Sequence, residues 1–125
     1  MSFANPRAQQ EFGEALPQVQ AAFMGLSGFA PVVTSVIGQG SHAANSAHYS
    51  GRAIDVGAFG QTGVGFNRPT WDALTAAIGS GKFTKIGTFA GLYDNPQMQA
   101  WARANGVELF HDEGTGNHIH FEVDY

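Results

Sequence analysis

A chain of 125 residues is expected to form one domain of modest size, residues 1–125. Six Lys+Arg against ten Asp+Glu leave a net charge of -4, without the basic footprint of a nucleic-acid binder. No run of about 18 apolar residues occurs, so no membrane span is expected, and the opening MSFANPRAQQEF lacks the charged start and apolar core of a secretory signal.

Asn5-Pro6 reads as a helix cap followed by Pro at the first helical position. Phe12, Leu16, Val19 and Phe23 recur at helical spacing behind it, and Pro17 either kinks that helix or begins a second one. Pro31 to Gly38 is β-branched and bounded by Pro and Gly, which predicts a strand. Residues 39–51 read as a loop, Arg52 to Val56 as a short buried strand, and the Gly-rich 57–67 as a second loop. A helix is expected over Pro69 to Ile78, with Trp71, Leu74 and Ile78 on one face. Phe83 to Phe89 reads as a strand. Asn95-Pro96 repeats the cap signal, Met98, Trp101 and Ala102 follow on one face, and Gly106 stops that helix. Val107 to Phe110 and His118 to Val123 are the last strands. Both Trp residues and the Phe residues are assigned to the core. Strands and helices do not alternate strictly, so the expected class is α+β, a small, mostly antiparallel sheet with flanking helices.

With no Cys in the chain, disulfides, thiolate metal sites and a Cys nucleophile are excluded, and a metal would have to be held by His and carboxylates. On a strand, His118 and His120 project to one face while Ile119 and Phe121 pack on the other. Asp55 lies between Ile54 and Val56, where a bare carboxylate is expensive, so it needs a strong partner, and a cation or an Arg is the natural one. Seven positions separate His48 from Asp55, and an unbroken strand would point them oppositely; Gly51 offers the turn that reconciles them. His48, Asp55 and His120 together form a set suited to catalytic zinc with a fourth position for water. The plain alternative is a cross-strand or capping histidine pair with no metal. A non-haem iron site fits less well, because its His and carboxylate usually lie two apart, and a cupin barrel has no room after the C-terminal HxH.

Ser46-x-His48-x-x-Gly51-x-Ala53-x-Asp55 resembles, position for position, the SxHxxGxAxD signature of the zinc peptidases that cut peptidoglycan stem peptides: D-Ala-D-Ala carboxypeptidases, dipeptidases and L-Ala-D-Glu endopeptidases. The C-terminal HxH completes that pattern. The segments from His48 to Asp55 and from His118 to His120 are also similar to the HYEGRAVD and HIH segments of the Hedgehog signalling domain, which has a His where His42 stands. The likeness covers residues 42–56 and about 98–123; residues 57–95 and the first 40 are unmatched.

The resemblance implies a Hedgehog/D-Ala-D-Ala peptidase-like fold, Zn2+ held by His48, Asp55 and His120, and His118 acting on protons or steadying the oxyanion. It makes Glu113 a candidate base, although the gap from Glu113 to His118 is one residue longer than in the family, which leaves Asp112 as a rival. Asn117 stands where related endolysins place an Asp, and it cannot act as a base. Ser46 would hydrogen-bond a ligand. Arg52 pairs with a carboxylate or faces solvent; His42 lies at the metal rim or in a plain loop; His111 is structural. The implied activity is a metallopeptidase acting on stem peptides, with a Hedgehog-like zinc-binding module without turnover as the alternative. A monomer is expected, either virion-associated in a phage or cytoplasmic with separate export to the cell wall.

Overall fold

Three helices begin with the same device, an Asn whose side chain satisfies one of the backbone N–H groups that a helix start leaves without a partner. Asn5 accepts from the Ala8 N–H at 2.9 Å, Asn67 from Thr70 at 3.0 Å and Asn95 from Met98 at 3.0 Å, each with Pro in the first two helical positions. The computed structural model describes residues 1–36, 53–111 and 118–123. Among them the order is β1 (Ser2–Phe3), α1 (Pro6–Glu14), α2 (Pro17–Met24), a 3-10 turn (Ser27–Phe29), β2 (Pro31–Ser35), β3 (Ala53–Phe59) and β4 (Thr62–Gly63), then α3 (Arg68–Gly79), β5 (Lys85–Thr88), α4 (Ala90–Tyr93), α5 (Pro96–Ala104), β6 (Glu108–His111) and β7 (Ile119–Glu122). Pro17 therefore begins a second helix and does not kink the first. Gly106 ends α5 as expected: its φ is +72°, and the Val107 and Gly106 N–H groups donate back to the carbonyls of Ala102 and Arg103.

The class is α+β with a mixed sheet. Its strands run β1-β2-β3-β7-β5-β6, with β4 hairpinned onto β3. The β2–β3, β3–β4, β3–β7 and β5–β7 pairs are antiparallel, and β1–β2 and β5–β6 are parallel. The order is not sequential, because β7 inserts between β3 and β5. That insertion brings the C-terminal histidines beside Asp55.

Register then separates the two faces. Ile54 pairs with Phe121, Val56 with Ile119, and Ile86 with Phe121. These side chains are fully or almost fully buried. Phe121 meets Phe23 of α2 and Phe83 edge-on or tilted, each at 5.3 Å between ring centres, so helices cover this face. Asp55 and His120 alternate onto the opposite face.

Several expectations need correction. Residues 57–67 are not simply a loop: β3 continues to Phe59, and a two-residue turn leads into β4. Gly60 sits at the first turn position with φ +66°, which the preferred hairpin turns demand. The strand expected over Phe83 to Phe89 is confined to Lys85–Thr88, and the short β1 and α4 carry too few residues to show a period. Phe66 and Trp101 are not core residues; they are 69 % and 44 % exposed. Trp101 packs against Gly79, where an added Cβ would come within 3.2 Å of the ring, and its indole N–H donates to the Thr75 carbonyl.

Thr88 is fully buried, and among the described residues its hydroxyl has no hydrogen-bond partner. An orphaned buried hydroxyl costs about 1–3 kcal/mol. Thr88→Val, which keeps the shape and removes that group, is expected to raise stability by about 1 kcal/mol in urea unfolding. A loss of stability would show that the hydroxyl has a partner in solution.

Candidate metal centre

Asp55 on β3 and His120 on β7 are direct cross-strand partners. The register between β2 and β3 slips on both sides of Val33, so that Ser35 comes to lie opposite Asp55. Irregularities of this kind are frequent beside active sites because they re-aim a side chain. The Thr34 hydroxyl donates to the Asp55 carbonyl at 3.3 Å, holding the strand there.

Asp55 is 4 % exposed, and its carboxylate stands between two imidazoles. Its Oδ1 is 3.2 Å from His120 Nδ1, and its Oδ2 is 3.7 Å from His118 Nε2. The sequence requirement for a strong partner is thus met by imidazoles. On the far edge of the His120 ring, Nε2 is 3.6 Å from Glu122 Oε2. His118, His120 and Glu122 share one face because they are spaced by two along β7 and its approach.

Burial alone pushes the His120 pKa down, but the nearby carboxylates of Asp55 and Glu122 overcome this and raise it to about 9. The sign of the linked stability follows. A folded-state pKa above the ordinary 6.5 gives stabilisation that is complete below pH 6.5 and fades as pH rises through about 9. The metal-free protein is therefore expected to melt at lower temperature at pH 9 than at pH 6.5. A zinc ion bound to this ring would displace that proton, so the stabilisation gained on adding zinc is expected to grow over the same interval. Thermal melts at both pH values, with and without zinc, check this. A flat profile in the metal-free protein would contradict the ion pair.

The donor spacing suits zinc. Two donors, each about 2.0–2.1 Å from a tetrahedral ion, lie about 3.3–3.4 Å apart. The observed 3.2 Å between Asp55 Oδ1 and His120 Nδ1 is a hydrogen-bond contact in the metal-free protein, and it is also compatible with that edge. His48, the third expected ligand, lies outside the described residues, as do the candidate bases Glu113 and Asp112. Asn117, His42, Ser46, Gly51 and Arg52 lie there too. Among the described residues no group of three or more His, Asp or Glu is arranged to hold a metal by itself.

Two contributors were not evident beforehand. The alternation that pairs His118 with His120 extends one step to Glu122, and that signal was present in the sequence. Phe110 had none. Its ring meets the His120 imidazole edge-on at 5.6 Å. Gly87 of β5 is in register with both residues and places no side chain between them. His111 is exposed and lies 6.0 Å from the Tyr93 ring.

No family model, curated protein or solved structure matches this chain.

Proposed function

We propose that the protein is a zinc metallopeptidase that hydrolyses an amide bond in peptidoglycan stem peptides, built on a Hedgehog/D-Ala-D-Ala peptidase-like fold. The observation that carries this reading is the adjacency of Asp55 and His120, 3.2 Å apart on neighbouring strands with His118 alongside. The motif resemblance requires such a convergence of residues 65 positions apart in the chain. His48 supplies the third ligand in this proposal.

When bound, zinc supplies Lewis acidity to the scissile carbonyl and makes water a better nucleophile near neutral pH. The protein's own groups do the rest. Asp55 contributes negative charge and, with His120, a fixed pair of donors. His118 is more exposed than His120, with side-chain exposures of 27 % and 10 %. It can therefore reach a substrate while one nitrogen stays near Asp55. In the proposed reaction it carries a proton toward the leaving amine and steadies the developing oxyanion, with Glu113 as the second proton carrier. The partner is the stem peptide. No helix among the described residues is long and apolar enough to cross a membrane. A virion-associated phage lysin, or a cytoplasmic enzyme exported separately, is the proposed setting.

The test is direct. Protein carrying one equivalent of zinc, incubated with purified peptidoglycan, is expected to release new amino termini or free D-Ala. A chelator stops the release and added zinc restores it. Stoichiometric zinc with no release from cell walls or synthetic stem peptides would overturn the enzyme reading and support a zinc-binding interaction module.

A further inference from the structure

His120 presents opposite edges of its ring to two carboxylates. Nδ1 faces Asp55 Oδ1 at 3.2 Å, and Nε2 faces Glu122 Oε2 at 3.6 Å. A ring nitrogen that binds a metal must be unprotonated, so a neutral imidazole ligating through one nitrogen carries its proton on the other. The nitrogen on the Asp55 side is the one placed to share an ion with that carboxylate. The proton then belongs on Nε2, the edge that meets Glu122.

We propose that Glu122 is a positioning residue of the zinc site, accepting the His120 Nε2–H and so turning the Nδ1 lone pair toward the ion. The proposal rests on the zinc reading above and deepens it. At 3.6 Å the contact lies just beyond hydrogen-bond length and needs to shorten by only about 0.5 Å. The backbone at Glu122 is held on both sides. It pairs with Ala53 of β3 and Lys85 of β5, and its carbonyl accepts the Thr84 N–H at 3.0 Å. The side chain itself is only 14 % exposed. A carboxylate on the distal nitrogen of a ligating His commonly changes metal affinity by about 10–100-fold.

Zinc affinity is measured by competition with a chelating dye for the unaltered protein, Glu122→Ala, Glu122→Gln and the exposed-carboxylate control Glu108→Gln. Glu122→Ala is expected to weaken zinc by about 10–100-fold. Glu122→Gln keeps an acceptor oxygen and is expected to stay within several-fold of the unaltered protein, as is the control. Nitrogen-15 spectra of the zinc-loaded, unaltered protein provide a readout that needs no variant, and they are expected to show His120 protonated at Nε2. A ring protonated at Nδ1, a Glu122→Ala protein that binds zinc as well as the unaltered one, or a Gln variant as weak as Ala would each overturn the role of Glu122. If the unaltered protein binds no zinc, the zinc reading falls and takes this one with it. Normal zinc binding together with any of the other contrary results removes the Glu122 assignment alone.

Discussion

Replacing Asp55 by Ala is expected to weaken zinc binding by on the order of 10²–10³-fold and to abolish hydrolysis. Zinc held by four protein ligands is worth about 10–16 kcal/mol in small domains. One ligand's share is then about 2.5–4 kcal/mol, or roughly 10²–10³-fold at 1.4 kcal/mol per tenfold. Asp55 is also the only anionic donor in the proposed set, so its loss leaves two neutral imidazoles to hold a dication. The metal-free protein changes as well. His120 is 8 % exposed, and without Asp55 one of the two carboxylates that keep its proton bound is gone. Asp55→Asn separates the effects, because it keeps the shape and some hydrogen bonding but removes the charge. Its zinc affinity is expected to fall nearly as far as that of Asp55→Ala, with a smaller loss of stability. Metal content after dialysis and melting temperature read the two apart. Unchanged zinc in either variant would contradict Asp55 as a ligand.

The features that were legible from residue types alone are those with local causes. Asn5-Pro6 and Asn95-Pro96 start helices because a short polar side chain can cap a backbone N–H three residues on, and Gly106 stops one because it tolerates positive φ. The shared face of His118 and His120 follows from the period of a strand. Asp55 between Ile54 and Val56 announced that a partner was needed, although not which one. What stayed hidden depends on non-local pairing. The placement of β7 between β3 and β5 decides that Asp55 meets His120, and no periodicity reveals strand order. Phe110 reaches His120 only because Gly87 stands between them in register. Trp101 shares a helical stripe with the buried Met98 and Ala102, yet it stays 44 % exposed. Its indole caps the end of α3 over Gly79, outside the core.

His118→Ala is expected to leave zinc affinity within several-fold of the unaltered protein while kcat falls by about 10²–10⁴-fold, the usual contribution of a positioned proton carrier. The two histidines differ in burial and surroundings. His120 lies inside β7, buried, with its ring confined by Asp55, Glu122 and Phe110. His118 precedes the strand, is the more exposed of the two, and stands 3.7 Å from Asp55 Oδ2. That distance is too long for a hydrogen bond but close enough to feel the carboxylate. In the proposed reaction this greater exposure suits His118 to carry a proton from nucleophile to leaving group, a task that an imidazole holding a metal could not share. Its exposure also makes the loss repairable: added imidazole is expected to restore part of the activity of His118→Ala in a concentration-dependent way. Zinc content, kcat and imidazole rescue are measured on the same preparations. A variant that loses its zinc would make His118 a ligand in place of a proton carrier. One that keeps both zinc and full activity would transfer the proton work to Glu113 or Asp112, which Glu113→Gln and Asp112→Asn then tell apart.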